Sequence, residues 1–253
     1  MFFDADKPVD NTDLSELEIL VNKNATVTRK KGILYYTKGD TTLEVSALLK
    51  EKSDNTITGK VIAIAVKDEN DDPIWDISGF KYDAKKLENQ LIDGKLDKVV
   101  ATLFKGKDTV WGSHFDDELH GFKGNDTIDG WRGNDRINGG RGKDSLQGRQ
   151  GDDTFIFDQK LTKSNADKIV KFNVSEDSLE LKQDIFTGLE KGKLHDDYFT
   201  VGKHAVGDTP QLIYQKGKGI LSYDPDGEGS EKAKKFVTLD KNKDLTHDHI
   251  IVV

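Results

Sequence analysis

The sequence predicts an all-β protein: a β-rich N-terminal domain, then a right-handed parallel β-roll of nonapeptide repeats, then a C-terminal capping region. Three observations favour this fold class. Short apolar runs alternate with turn-forming clusters in the first hundred residues. The middle of the chain repeats every nine residues, and strand-like runs without a repeat follow it. These changes divide the chain into residues 1–102, 103–156 and 157–253.

The N-terminal segment contains four strand-like runs and no repeat. The runs are Gly32–Tyr36, Thr42–Val45, Val61–Val66 and Pro73–Ile77. Polar clusters at 53–55 and 68–73 separate them, as expected for turns. A short helix is predicted from Asp83 to Gly94, because a glycine commonly follows a helix end. The segment is therefore expected to form a small β-rich domain.

The middle segment consists of six contiguous nonapeptides, starting with Leu103–Trp111 and ending with Gly148–Ile156. The sixth position is always aspartate: Asp108, Asp117, Asp126, Asp135, Asp144 and Asp153. The eighth position is always a large apolar residue: Val110, Leu119, Ile128, Ile137, Leu146 and Phe155. Glycine occupies the first position in five units and the fourth position in five. Such fixed columns indicate a repeat fold.

Each column has a physical explanation. Glycines permit tight or left-handed turns, which leave backbone carbonyls exposed. The apolar residue that follows lies in the middle of a minimal strand and points inward. Two nonapeptides then form one flattened coil, so that aspartates eighteen residues apart meet across successive coils.

Carboxylates placed together in this way repel one another unless a divalent cation lies between them. Oxygen ligands in a flexible array favour calcium over zinc, copper or magnesium. The alternative is a solvated acidic turn array without metal, which gives no reason for aspartate at every ninth residue.

The repeats resemble those of the RTX calcium-binding family, whose motif is G-G-x-G-x-D-x-U-x. Residues 121–128 and 139–146 are close matches. The resemblance implies that each calcium ion takes carbonyls from the second and fourth positions and the aspartate of one repeat. It also takes carbonyls from the first and third positions and the aspartate of the repeat two units later.

Carried over to this sequence, the resemblance implies about four sites. One site uses Phe122, Gly124, Asp126, Gly139, Arg141 and Asp144, and its counterpart on the other edge uses Trp131, Gly133, Asp135, Gly148, Gln150 and Asp153. Two earlier sites pair Phe104, Gly106 and Asp108 with Gly121, Lys123 and Asp126, and Ser113, Phe115 and Asp117 with Gly130, Arg132 and Asp135. Both earlier sites depart from the motif, at Leu103-Phe104 and at Phe115. In this scheme Asp126 and Asp135 each serve two sites, and Asp153 serves one.

The C-terminal segment resembles the tail of serralysin-type RTX proteins. Residues 165–172 and 177–181 resemble the cap that closes the roll, and residues 212–227 resemble the hairpin region. Residues 250–253 resemble the apolar end of a type I secretion signal. The resemblance implies export by a type I secretion apparatus. Consistently, residues 1–7 lack the basic and apolar regions of a Sec signal peptide.

Three features have two interpretations. Asp167 either completes a half-empty site at the end of the roll or caps a strand or turn. The run that starts at Asp224 and Asp226 resembles an EF-hand loop, but Lys235 occupies the twelfth position, so a hairpin turn is favoured. Trp111 and Trp131 either stack on sugars or, as we favour, pack against the flanking domains.

Composition and motifs limit the function. The formal charge of −8 does not favour nucleic acid or an anionic membrane, and the longest apolar run is too short to cross a bilayer. The absence of cysteine excludes disulfides and Cys-ligated zinc. We found no catalytic motif.

We therefore expect a secreted, extracellular calcium-binding protein that acts in adhesion, with a polysaccharide or a cell surface as partner. The alternative is a secreted polysaccharide-active or protein-cleaving enzyme, or an accessory module of one. Its active site would then lie in residues 1–102, which contain neither histidine nor cysteine.

Overall fold

The computed structural model describes residues 104–253 in full, together with the backbone of five strands between residues 26 and 83. The five are β1 (Thr26–Lys30), β2 (Ile33–Lys38), β3 (Thr41–Glu51), β4 (Ile57–Lys67) and β5 (Pro73–Asp83). They pair antiparallel, each with the next along the chain. Strands β2 to β5 each overlap one predicted run, which confirms the β-rich prediction. The predicted helix from Asp83 to Gly94 lies outside the described residues, except Asp83 itself, which ends β5.

The repeats contribute six short strands. They are β6 (Thr109–Trp111), β7 (Glu118–His120), β8 (Thr127–Arg132), β9 (Arg136–Asn138), β10 (Ser145–Gln150) and β11 (Thr154–Phe157). All pair parallel, with β6, β8 and β10 in one sheet and β7, β9 and β11 in another. Alternate repeats therefore form opposite faces of a flattened coil, as the period of nine predicts.

The residues that follow contribute eight strands and three short 3-10 turns. The strands are β12 (Asp167–Ile169), β13 (Ser178–Leu181), β14 (Gly192–Lys193), β15 (Phe199–Val201), β16 (Gln211–Gln215), β17 (Ile220–Asp224), β18 (Lys234–Thr238) and β19 (Ile250–Val252). The 3-10 turns are Asp196–Tyr198, Lys216–Lys218 and His247–His249. No helix among the described residues is long and apolar enough to cross a membrane.

The two parallel sheets continue past the last repeat. Strand β12 pairs parallel with β10, and β18 pairs parallel with β12. On the opposite face β13 pairs parallel with β11, and β19 pairs parallel with β13. Five strands on each face therefore stack in parallel, although only three on each face come from the nonapeptides. The boundary at 156/157 stays a prediction, but both sheets and strand β11 pass through it.

The space between the two parallel sheets is the hydrophobic core. All six apolar residues of the eighth column are fully buried. Ile169, Leu179 and Ile250 continue this burial into the last coils. Burying a side chain of this size contributes about 1.5–3 kcal/mol, so the column supplies much of the stability of a structure with very short strands.

A hairpin extends the edge of the larger sheet. Strands β16 and β17 pair antiparallel through the 3-10 turn at 216–218, and β17 pairs antiparallel with β18. The buried Tyr223 donates its hydroxyl hydrogen bond to the Thr187 carbonyl. The hairpin lies where the sequence places one, whereas the wider resemblance of this segment to serralysin-type tails stays a prediction.

Candidate metal centre

The sixth-position aspartates form two columns, one along each edge of the roll. The first column contains Asp108, Asp126 and Asp144, and the second contains Asp117, Asp135 and Asp153. In both columns Oδ1 of every aspartate after the first accepts a hydrogen bond from the backbone N–H of the aspartate one coil earlier, at 2.7–3.0 Å. Each carboxylate is thus fixed between two coils.

Both columns extend by one residue beyond the repeats. Asp167 Oδ1 accepts from the Asp144 N–H at 3.0 Å, and Asp177 Oδ1 accepts from the Asp153 N–H at 3.4 Å. Both side chains are 5 % exposed. Asp167 thus continues the first column and is also the first residue of β12, so its role as a ligand stays a prediction. Asp177 was not among the predicted site residues, and its place in the ladder shows that Asp153 does not end its column.

The second oxygen of most column aspartates has no hydrogen-bond partner. Among the described residues, Oδ2 is buried and unpartnered in Asp108, Asp126, Asp135, Asp144 and Asp153. None of the ion pairs within residues 104–253 involves Asp126, Asp135, Asp144 or Asp153. An unpaired carboxylate oxygen in such a position is costly, because burial removes its water without replacing it. A cation between the coils would satisfy these oxygens.

The same crowding raises the pKa of the column aspartates in the protein without metal. The pKa of Asp135 rises to about 9, that of Asp167 to about 8, those of Asp126 and Asp153 to about 7, and those of Asp144 and Asp177 to about 6. Loss of hydration on burial is the largest cause in every case. For Asp135, the backbone hydrogen bond from Asp117 opposes this shift, and the carboxylates of Asp153 and Asp117 add to it. The metal-free columns thus favour protons where a bound cation would favour charge.

Glycine at the first position makes room for the carboxylate of its own repeat. A β-carbon on Gly139 would lie 2.6 Å from Asp144 Oδ2, and one on Gly130 or Gly148 would overlap the carboxylate of Asp135 or Asp153. None of these three glycines has a positive φ. At the first position the constraint on glycine is therefore steric and not a left-handed backbone conformation.

The turn conformation resides at the second and fourth positions. Phe122 and Trp131 have φ of 65° and 75°, and the fourth-position Gly133 has φ of 104°. Side chains other than glycine rarely adopt such angles. These turns orient the backbone carbonyls that the resemblance assigns to calcium.

Several predicted ligand groups meet across the coils of the first edge. The Arg141 N–H donates to the Phe122 carbonyl at 2.7 Å, and the Gly124 N–H donates to the Arg141 carbonyl at 2.8 Å. Lys123 and Arg141 form a parallel bridge. The Gly139 carbonyl faces Gly121, where a β-carbon would lie only 2.6 Å away. Residues from repeats one, three and five are therefore stacked as predicted, together with the fourth-position carbonyl of Gly106 against Gly124.

The second edge has the same arrangement in its later coils. Trp131 is in register with Arg149, and Arg132 with Gln150. The Gly148 carbonyl lies 3.0 Å from the position of a β-carbon on Gly130. The Gly133 carbonyl faces Gly151 one coil later.

The second repeat differs from the others. Asp117 Oδ2 accepts from the Ser113 N–H at 2.5 Å, and the Ser113 hydroxyl donates to Asp117 Oδ1 at 3.0 Å. Phe115 has no positive φ, and its N–H donates to the Ser113 hydroxyl. The Ser113 N–H thus supplies the hydrogen bond that Oδ2 lacks in the other repeats, so this part of the second column depends less on a cation.

Comparison with known proteins agrees with this geometry. The RTX calcium-binding nonapeptide repeat family (4 copies) matches residues 104–137 and 132–159. No curated protein matches the sequence. Two similar solved structures are the R3 and R2 subunits of a mannuronan C5-epimerase from Azotobacter vinelandii. The R3 subunit is 21 % identical, with a TM-score of 0.40, and the match covers 58 % of this chain and 78 % of that subunit. The R2 subunit is 25 % identical, with a TM-score of 0.36, and the match covers 57 % of this chain and 92 % of that subunit.

The strand pairing, the buried aspartate columns and the family match lead to one assignment. Residues 104–159 are RTX calcium-binding nonapeptide repeats that form a parallel β-roll, and calcium is the cofactor of this part of the chain.

Proposed function

We propose that this protein is secreted and that its roll folds when it meets calcium outside the cell. The observation that carries the proposal is the row of buried, unpartnered Oδ2 atoms in the two columns. Like-charged carboxylates one coil apart oppose folding at neutral pH, and bound calcium removes the opposition. Binding energy then becomes folding energy. Extracellular modules bind calcium at about 10⁻⁴–10⁻³ M, a concentration that the cytosol does not reach.

The ligands of each ion would come from two successive coils on one edge. Six carboxylate pairs are stacked in this way, four within the repeats and two that involve Asp167 and Asp177. The carbonyls of the first to fourth repeat positions would complete each oxygen shell. Full sites hold about six to eight oxygen ligands, which a carboxylate pair with four carbonyls approaches.

Calorimetric titration of the full chain tests this assignment. We expect the roll to bind about six calcium ions, or five if Ser113 keeps Asp117 from its site. Magnesium at the same concentration should give little heat, because it resists a site rich in carbonyls. Fewer than two bound calcium ions would contradict the proposal.

Export by a type I secretion apparatus follows from the same proposal. A roll that stays unfolded at the calcium concentration of the cytosol could pass through a secretion channel as an extended chain. The residues that resemble the secretion signal, 250–253, include β19, which completes the smaller sheet against β13. Deletion of residues 250–253 should abolish secretion by a co-expressed type I system, whereas an Asp184→Asn variant should be exported normally.

We further propose that the roll binds a polysaccharide or a cell surface through exposed aromatic side chains. Trp111, Phe115 and Trp131 are 48 %, 45 % and 42 % exposed. Trp131 stacks on His114 with ring centroids 4.1 Å apart, which leaves part of the indole exposed. Packing of Trp111 and Trp131 against the flanking domains stays a prediction. Exposed aromatic faces suit the apolar C–H faces of sugars.

A glycan array probed with and without calcium tests this activity. Binding should require calcium and fall at least tenfold in Trp131→Ala, whereas Val206→Ala, which alters another exposed apolar residue, should bind normally. Equal glycan binding by both variants would show that Trp131 is not part of the binding surface.

A further inference from the structure

A second buried carboxylate cluster lies outside the roll columns, in the turn between β17 and β18. Asp224 ends β17 and is 6 % exposed. The Asp226 backbone N–H donates to the Asp224 carboxylate, and the two side chains lie within hydrogen-bonding reach of each other. Asp226 Oδ2 accepts from the Glu231 N–H at 3.0 Å, which closes the turn.

One oxygen of each carboxylate has no partner. Asp224 Oδ1 and Asp226 Oδ1 are both buried without a hydrogen bond. No ion pair within residues 104–253 involves either residue, and the nearby Lys234 pairs with Glu231. Among the described residues outside the roll columns, no other side-chain nitrogen or oxygen atom is buried without a hydrogen-bond partner. Two adjacent carboxylates without a counter-charge require either a proton or a cation.

Backbone carbonyls from a second segment approach the same turn. Gly227 has φ of 64°, and a β-carbon there would overlap the Gly207 carbonyl oxygen and lie 2.8 Å from that of Thr209. The Glu228 N–H donates to the Gly207 carbonyl at 2.7 Å. The loop at 207–209 is thus held against the turn, and its carbonyl oxygens face the backbone at Gly227, the residue directly after Asp226.

We propose that Asp224, Asp226 and the carbonyls of Gly207 and Thr209 form a calcium site separate from the roll. Oxygen ligands alone, with two carboxylates and flexible carbonyl donors, suit calcium better than zinc or magnesium. The site does not depend on an EF-hand loop, because the second half of the shell comes from another segment and not from the position of Lys235. Its ion would join the 207–209 loop to the β17–β18 turn.

Anomalous scattering from crystals of the full chain grown in calcium tests the proposal directly. We expect a peak about 2.3–2.6 Å from Asp224 Oδ1 and Asp226 Oδ1. No peak at this turn would overturn the proposal, whatever the roll shows. Peaks here without peaks in the roll would instead contradict the proposed function, so the two failures are distinguishable.

Calorimetric stoichiometry gives a second test in solution. Asp226→Asn keeps the shape of the side chain and an acceptor for the Glu231 N–H, and it should bind one calcium ion fewer than the unaltered protein. Asp184→Asn, at an exposed aspartate, should lose none. An unchanged count in Asp226→Asn would show that the turn is held by hydrogen bonds alone. If that variant does not fold, the diffraction experiment on the unaltered chain still decides.

Discussion

The two carboxylate oxygens of Asp126, Asp135, Asp144 and Asp153 have different roles. Oδ1 accepts the N–H of the previous coil and so sets the stacking, as in the 2.7 Å bond between Asp126 and Asp144. Oδ2 is buried without a partner and is the atom available to a cation. An aspartate in the interior of a column therefore contributes to two intercoil spaces, whereas the last one contributes to a single space.

This difference predicts unequal effects of equivalent substitutions. Asp135→Asn should remove about two bound calcium ions, because Asp135 is stacked on Asp117 and on Asp153. Asp177→Asn should remove about one. The measurement is calorimetric stoichiometry, with Asp152→Asn as an exposed control next to the column. Equal losses in Asp135→Asn and Asp177→Asn would show that the ladder does not define the sites.

The raised pKa values predict how the metal-free roll responds to pH. Since the pKa of Asp135 is about 9 in the folded protein and 3.8 is its ordinary value, the folded state binds a proton that the unfolded state releases between these limits. Protonation thus contributes stability that is complete below pH 3.8 and is lost as the pH rises to about 9. In chelator, the β-sheet signal in circular dichroism should therefore be stronger at pH 5 than at pH 8.

Calcium should reverse this order, because protons compete with the ion for the same oxygens. In millimolar calcium the roll is folded, and the midpoint of its urea unfolding should be lower at pH 5 than at pH 8. A β-sheet signal in chelator that rises with pH would contradict the assignment of these pKa shifts to the buried columns.

The first-position glycines predict a steric effect. Gly130→Ala places a β-carbon on the Asp135 carboxylate, and overpacking of this kind costs about 1–3 kcal/mol. Calcium affinity should fall with it. Gly217→Ala is the matched control, since nothing lies within 4 Å of its β-carbon position. The free energy of unfolding in calcium measures both, and equal values would remove the steric explanation.

At the scale of the element, the sequence predicts the strands of the repeats well and those that follow less well. The eighth column identifies the inward side chain of each nonapeptide strand, because one apolar residue between two polar ones has a single stable orientation. Beyond the repeats the spacing between stacked aspartates changes from 18 residues to 23 and 24. A search for a fixed period does not detect these coils.

The later coils nevertheless carry a signal in their sequence. Asp167 and Ile169, like Asp177 and Leu179, keep the two-residue spacing between aspartate and core residue. Longer connections are tolerated because the cost of closing a loop grows slowly with its length. A search for this spacing without a fixed period would have found Asp177.

Strands β12 and β13 should therefore fold with the repeats and not as a separate cap. Leu179→Ala removes a fully buried side chain and should cost about 2–5 kcal/mol in calcium. It should also weaken calcium binding throughout the roll, because binding and folding are coupled. Val201→Ala, at a residue 60 % exposed, is the control. Unchanged calcium affinity in Leu179→Ala would separate this coil from the roll.

At the scale of the molecule, the roll is stabilised by calcium ions at its edges and by an apolar core between its sheets. The core residues of the repeats lie between two sheets that each contribute side chains, and the edges carry the carboxylates. We propose that without an ion the columns are protonated or separate, so that the charge of these aspartates controls the folding of the whole segment. This is why a period read from the sequence predicts both the architecture and its cofactor.

The central claim is that calcium binding and folding of the roll are coupled and occur together. Amide hydrogen exchange of the full chain at neutral pH, in chelator and in millimolar calcium, tests it most directly. We expect the amides of β8 to β11 to exchange freely in chelator and to become protected together when calcium is added, but not when magnesium is added. Protection of these strands in chelator equal to that in calcium would contradict the claim, even if calcium still bound.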